Sequence, residues 1–227
     1  MNSYYDITES LYSAAGDGST DDTTAIQSPI DDAAAAGGGI VYIPEGRYKV
    51  TATLEIADVD NVVLKGIGNG SVIFTSSSSI TVIKIGSTTG DHTDTQYNQV
   101  IDLTVDRSVS PDTSSIGINI ERAHYVTIQG VNVHNHGRAI SVGVPGGSGI
   151  PCQWVSILDT HISLSGSSYG SNGFPDAGIK LWQCADIKIH NTFVEPTNVG
   201  ILMVDNSNGV LTKPMWHSQW QRFQHWY

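Results

Sequence analysis

Five segments of the chain carry apolar residues at matching offsets: NVVLKGIGNG, QVIDLTVDR, YVTIQGVNVHN, WVSILDTHISLS and DIKIHNTFVE. Between them runs a second set: IGINIERA, RAISVGV, AGIKLWQCA and VGILMVDNS. One member of each set makes a unit of roughly 23 to 32 residues, a period that marks a repeat architecture. Aligned on their apolar positions, the units form columns. Val126, Val155 and Ile187 share one, Ile128, Ile157 and Ile189 another, and Val105, Val133, Ile162 and Val194 a third. In the second set Ile118, Ile140, Ile179 and Ile201 align, as do Ile120, Val142, Leu181 and Met203. Apolar residues at alternate positions signal strands, and the glycines between them signal bends. A unit this small cannot bury an apolar face alone, so each must stack on the next. The columns predict an all-β chain, a parallel β-helix with two short strands per unit, coils ~4.8 Å apart and apolar ladders inside. A β-sandwich would show hairpin turns every ~8–12 residues and weaker columns. The general hand of parallel β crossovers makes the helix right-handed.

A column left out of the alignment agrees with it. Three residues before the first apolar position of each coil stand Ala123, Cys152, Cys184 and Ser207. The two cysteines therefore sit on adjacent coils, with Cα atoms inside the ~4.4–6.8 Å window of a disulfide. Directly stacked parallel positions aim the thiols poorly for that bond, so two buried free thiols are expected. Two cysteines are also too few for a disulfide scaffold.

The chain opens differently. GDGSTDDTTAIQ leads into a stretch with Ala25, Ile26, Ile30, Ala33 and Ala34 on one helical face. A helix is predicted at about 20–36, capped by Ser19, Thr20 or Asp22 and stopped by Gly37-Gly38-Gly39. Pro29 lies inside it, and interior proline costs ~3 kcal/mol, so a bent or broken helix is expected. Coils follow at about 40–213. In the tail, 214–227, Trp216, Trp220, Phe223 and Tyr227 recur at helical spacing. That stripe reads as a cap over the last coil, a truncation point or an interface.

Net charge is −11, from 11 Lys+Arg against 22 Asp+Glu. Nucleic-acid binding needs clustered basic residues and is disfavoured. No run of 18 apolar residues occurs, so no membrane span is expected. MNSYYDITESLYS lacks the basic and apolar regions of a signal peptide.

The opening resembles a known family. GDGSTDDTTAIQ, an alanine-rich helix and GGGIVYIPEGRYKV are similar to the start of the pectate-lyase-like domain of rhamnogalacturonase- and epimerase-like enzymes and phage tailspike depolymerases. The likeness is strong over about residues 4–50 and weaker to about 212. It implies a right-handed, single-stranded, pectin-lyase-like parallel β-helix over 1–213 with an N-terminal capping helix. In that family the opening is scaffold, so Asp17, Asp21 and Asp22 read as turn formers and caps. A calcium role for DGSTDD lacks the closing Glu of an EF-hand loop. No GK[ST] follows the glycines, and GIGNG reads as a turn. The polygalacturonase set NTD, DD, GHG and RIK is not present in order, and the DPHE run of alginate epimerases is absent. NHGRAISVG, with His136 and Arg138, is a loose echo of the histidine segment and shows no zinc spacing.

Chemistry is expected on the outward polar columns. One reads Asp106, His134, Ser163, Glu195, with Arg107 and Asn135 beside it. Another reads Asn119, Ser141, Lys180, Leu202, followed by Glu121, Gly143, Trp182 and Val204. A glycosidase needs two carboxyl groups, drawn from Asp106, Asp176 and Glu195. A uronate lyase needs a base and positive charge, drawn from Arg107, His134 and Lys180, with Asp106 or Glu121 able to hold a bridging Ca²⁺. Tyr169 and Trp182 are sugar-stacking candidates. Each of these residues also has a plain reading as solvated sheet face or ordinary packing. Three functions follow: cleavage of an acidic polysaccharide by hydrolysis or β-elimination, non-catalytic glycan binding by an extracellular or virion-associated homotrimeric tailspike module, or an inactive shortened relative.

Overall fold

A computed structural model describes residues 3–77, 79–87, 95–108, 114–144, 152–163, 177–195 and 199–204, and the backbone of 209–211 and 223–225. The chain begins with β1 (Tyr4–Asp6), β2 (Asp17–Asp21) and α1 (Thr23–Ala35). Three-stranded coils follow. The first holds β3 (Gly39–Tyr42), β4 (Gly46–Lys49) and β5 (Leu54–Ile56). The second holds β6 (Val62–Lys65), β7 (Ser71–Thr75) and β8 (Thr81–Gly86), the third β9 (Gln99–Ile101), β10 (Thr104–Arg107) and β11 (Ile116–Glu121). Next come β12 (Thr127–Gln129), β13 (Asn132–His134) and β14 (Arg138–Val142), then β15 (Ser156–Leu158), β16 (His161–Ser163) and β17 (Ala177–Trp182). The last full coil is β18 (Ile187–His190), β19 (Phe193–Val194) and β20 (Ile201–Val204), and β21 (Gly209–Leu211) and β22 (Phe223–His225) close the series.

Like positions of successive coils pair in parallel and build three sheets. The first runs β1-β3-β6-β9-β12-β15-β18-β21, the second β19-β16-β13-β10-β7-β4-β2 and the third β22-β20-β17-β14-β11-β8-β5. This is a right-handed parallel β-helix. The expected columns are the observed registers. Val105, Val133, Ile162 and Val194 are successive partners. So are Ile118, Ile140, Ile179 and Ile201, and Ile128, Ile157 and Ile189. All of these are buried in one continuous core.

Each coil has three strands where two were expected. The added corner falls inside the first segment of each unit, where Asp102, Gly130, Asp159 and Asn191 adopt left-handed φ values of 52°, 64°, 51° and 48°. Asp and Asn tolerate that region because their short polar side chains bond locally. Asn191 Nδ2 donates to Asp159 Oδ1 at 2.7 Å. At Gly130 a Cβ would collide with the Asp102 carboxylate. A second steric rule acts where the coil turns into the third sheet. A Cβ on Gly117 or Gly178 would stand 2.5 Å from Val133 Cγ1 or Val194 Cγ1. The column is therefore kept small, with Ala139 between the two glycines.

Helix α1 covers the N-terminal mouth of the coil stack. Ile26, Pro29, Ile30 and Ala33 form its buried face. The predicted break at Pro29 does not occur. The ring is buried with that face, and packing holds the helix through the lost hydrogen bond. Asp22 occupies the N-cap position without a side-chain cap bond. Its carboxylate turns back to accept from the amides of Ala15 (2.7 Å) and Gly16 (3.1 Å). Asp21 accepts from the Thr23 amide at 3.0 Å and the Thr51 hydroxyl at 2.6 Å. Asp17 accepts from the amides of Ser19 and Thr20 at 2.7 and 2.8 Å. The acidic turn is thus built into the scaffold.

Both cysteines are buried free thiols, stacked through the bridges that join Gln153 to His124 and to Ala185. Phe223 lies in a strand paired with β20, not in the helix its spacing predicted. Backbone pairing to the preceding coil wins over side-chain periodicity there. Trp216, Trp220 and Tyr227 lie outside the described residues. Among the described residues no helix is long and apolar enough to cross a membrane.

Hydrogen bonds, first from the Thr20 amide, hold the Asp17 carboxyl well below the ordinary carboxylate range. Its contribution is complete above its unfolded value of 3.8 and declines as pH falls from there toward the folded value. Asp17→Ala should therefore lower Tm at neutral pH. Thermal melts across pH should show the gap from wild type narrowing only below 3.8.

Candidate functional site

The connections between strands are unevenly long. Those joining the first sheet to the second in the later coils are only residues 102–103, 130–131, 159–160 and 191–192. The third sheet is entered through 108–115 and 164–176 and left through 87–98 and 143–155. Long connections carry function when a rigid frame positions them. The outer face of the third sheet is the one with such connections at both edges.

On that face Lys84, Asn119, Ser141, Lys180 and Leu202 are successive partners. They point away from the core because Ile118 and Ile120, and their equivalents, point in. Solvated positions were expected, yet Asn119 and Lys180 are each 7% exposed and Ser141 3%. Outward direction does not settle exposure once material lies beyond the sheet. Lys180 Nζ stands 4.4 Å from the centroid of the Trp182 ring, a cation–π contact that strengthens as water is excluded. The buried Trp182 indole N–H has no hydrogen-bond partner among the described residues. Glu121 is held by Asn119 Nδ2 at 2.7 Å and by Lys84 Nζ at 3.8 Å.

A second group lies on the outer face of the second sheet. Asp106 accepts from Asn135 Nδ2 at 3.1 Å and stands 3.8 Å from an Arg47 nitrogen. Arg47 itself lies over Phe74, 4.5 Å from the ring centroid. His134 follows Asp106 one coil on, and its ring meets that of His161 edge-on at 6.3 Å. His161 Nε2 is 3.9 Å from Glu195 Oε1. Burial pushes the His134 imidazole below its ordinary 6.5, against the pull of Asp106, while His161 adds to the lowering and Glu195 opposes it.

The structure thus brings Asp106 and His134 together, and Lys180 and Trp182. It places these two pairs on different sheets. Arg107 does not join Asp106: it is buried, and its Nε donates to the Ser77 carbonyl at 3.4 Å. Asp106 and Glu195 are three strand spacings apart, ~14 Å. Asp176 and Tyr169 lie outside the described residues. Arg47, Lys84 and His161 belong to the two groups and were not picked out from the sequence. His161 sits two residues before the outward column that was read, in the parallel column Thr104, Asn132, His161. Among the described residues no three His, Cys, Asp or Glu side chains are placed to hold a metal.

The profile of the rhamnogalacturonase A/epimerase, pectate lyase-like family matches residues 10–213. The chain belongs to that carbohydrate-active β-helix family. The mannuronan C5-epimerase AlgE6 of Azotobacter vinelandii is 49% identical over 67 residues, 27% of this chain and 8% of the epimerase. Alginate lyase 7 of the same organism is 46% identical over 67 residues, with the same two shares of 27% and 8%. The chain therefore matches only a small part of these relatives. Among solved structures, the family 28 exopolygalacturonase of Yersinia enterocolitica superposes with a TM-score of 0.72 at 14% identity, covering 95% of this chain and 49% of the enzyme. The surface protein and adhesin PfbA of Streptococcus pneumoniae gives 0.66 at 17%, covering 92% and 61%. Gene product 12 of bacteriophage phi29 gives 0.61 at 18%, covering 90% and 29%. These likenesses show the shared fold.

A folded histidine held below 6.5 takes its proton less readily than an unfolded one. His134 therefore adds full stability above 6.5 and loses it as pH falls through the folded value. NMR titration of its ring should give a midpoint below 6.5. Asp106→Asn removes an attraction for the imidazolium and should move that midpoint lower still. A rise would contradict the contact described.

Proposed function

We propose that the outer face of the third sheet binds a uronate-containing polysaccharide and cleaves it by β-elimination. The observation that carries the reading is Lys180, an ammonium 7% exposed on the outward side of a strand and seated against Trp182. A cation held in a place of low dielectric suits a sugar carboxylate and the charge that builds on it when the neighbouring proton leaves. Lys84 adds a second cation on the same face, and Trp182 offers its ring. We assign the base to Glu121, the carboxylate tied to Asn119 and Lys84 on the same face. In the reaction the proton passes from the carbon next to the sugar carboxylate to Glu121. The C–H electron pair forms the new double bond, and the glycosidic oxygen leaves with its own bond pair. A bound Ca²⁺ would be held through the Glu121 carboxylate and would supply further positive charge to the sugar carboxylate.

Among the described residues hydrolysis is less well supported. An inverting pair stands ~6.5–9.5 Å apart and a retaining pair closer, whereas Asp106 and Glu195 are separated by three strand spacings. Binding without cleavage is the second reading. It is favoured by the ties of Glu121 to Asn119 and Lys84, which already occupy its carboxylate. Extracellular or virion-associated placement belongs to the proposal and accords with the adhesin and phage neighbours of the fold; assembly as a homotrimer belongs to it through the tailspike resemblance alone.

The purified chain should be incubated with polygalacturonate and alginate, with and without Ca²⁺, following new reducing ends and the ultraviolet absorbance of unsaturated uronates. Both signals should rise together, and Lys180→Ala should slow them roughly 10²-fold, the scale of removing one transition-state contact. Reducing ends without absorbance would replace elimination by hydrolysis. Neither signal, from folded protein that still binds the polymer, would leave the binding reading.

A further inference from the structure

Three consecutive coils carry a large aromatic residue at the same corner, just before the first sheet. Tyr97, Tyr125 and Trp154 adopt φ values of 59°, 54° and 55°. Bulky residues are uncommon in that left-handed region, where Asn and Asp are several-fold enriched. The flanking coils follow the usual preference: Asn61 precedes the series at φ 60° and Asp186 follows it at φ 57°. The corner itself therefore needs only a short side chain.

The three rings form one exposed stack. Tyr97 and Tyr125 are 4.8 Å apart and 9° from parallel, and Tyr125 and Trp154 are 4.6 Å apart and 6° from parallel. They remain 48%, 37% and 43% exposed. Stacking at the coil spacing turns the ring normals along the helix axis, so both faces of Tyr125 are covered. One face of Trp154 is left, and it looks toward the next coil. The backbone there is in register, since the Trp154 amide donates to the Ala185 carbonyl at 3.3 Å. The next corner residue is Asp186, whose side chain is exposed, with exposed Lys188 two positions on.

We infer that Trp154 and Asp186 form a carbohydrate subsite apart from the outer face of the third sheet. A pyranose ring lies with its apolar face on the indole, donates a hydroxyl hydrogen to the Asp186 carboxylate, and sets an acidic substituent toward Lys188. A sugar fits this place better than a protein partner does. Among the described residues the stripe is one side chain wide and is flanked by Gln99, Thr127 and Ser156, with no aliphatic surround to form a dry interface. The inference rests on the polysaccharide reading above and adds a second point of attachment at the other edge of the connections that leave the third sheet.

The test is affinity electrophoresis of the intact chain through gels containing polygalacturonate, alginate or hydroxyethylcellulose. Trp154→Asn suits the left-handed corner and should fold with an unchanged or higher Tm. In the gel that retains wild type, it should weaken retention roughly tenfold, the equivalent of ~1.4 kcal/mol. Asp186→Asn should weaken it in the same direction, and Trp154→Tyr should restore most of it. Unchanged retention of Trp154→Asn, with Lys180→Ala weakened, would overturn the subsite and leave the third-sheet reading standing. A wild type retained by none of the gels would overturn both. A changed sedimentation coefficient with unchanged retention would assign the stack to contact between copies and overturn the subsite.

Discussion

Everything in this molecule depends on parallel backbone hydrogen bonds that tie each strand to the same strand one coil earlier. Their spacing is fixed, so a side chain is stacked on its equivalents whether or not the two are chemically suited. A slip of one residue would turn every inward Ile and Val outward. The core is therefore a set of columns, each of which must be apolar along its length. The left-handed corners at Asp102, Gly130, Asp159 and Asn191 hold the phase. They place the bend at one position in each of the four later coils and leave no slack there in which a register could drift.

The columns were legible in the sequence because stacked positions answer to one environment, and one environment selects one kind of residue. The third strand of each coil was not read, although a sign of it was present. Ile128 and Val133 both point inward, yet they are an odd number of residues apart, which unbroken alternation forbids. A corner had to stand between them. At Pro29 a local rule failed for the opposite reason. Propensity speaks of an isolated helix, whereas α1 is held along its length by the mouth of the coil stack. At Phe223 the same contest went to the backbone: an available strand edge outweighed helical spacing.

The candidate site was legible in direction and illegible in exposure. Alternation showed that Lys180, Trp182, Asp106 and His134 point out of the barrel. It could not show that Lys180, Asn119 and Ser141 are buried, because burial depends on what lies beyond the sheet. Nor could it show that Arg107 turns away from Asp106 to the Ser77 carbonyl. The meeting of Arg47 with Asp106 spans two coils and requires the register of the early strands, where the irregular GIGNG turn hides the repeat. The aromatic stack was missed for a simpler reason. Its residues sit at a corner, between the columns that alternation defines.

The outer column Lys84, Asn119, Ser141, Lys180, Leu202 has a consequence for any polymer lying along it. Its backbone repeats from coil to coil, but its chemistry runs from cation through amide and hydroxyl to cation and then to hydrocarbon. A chain of identical sugars that advances by one coil meets a different side chain at each unit. The frame is periodic and the potential along it is not, so the face is a ruler with unlike marks, on which no two neighbouring coils would hold a polymer in the same way.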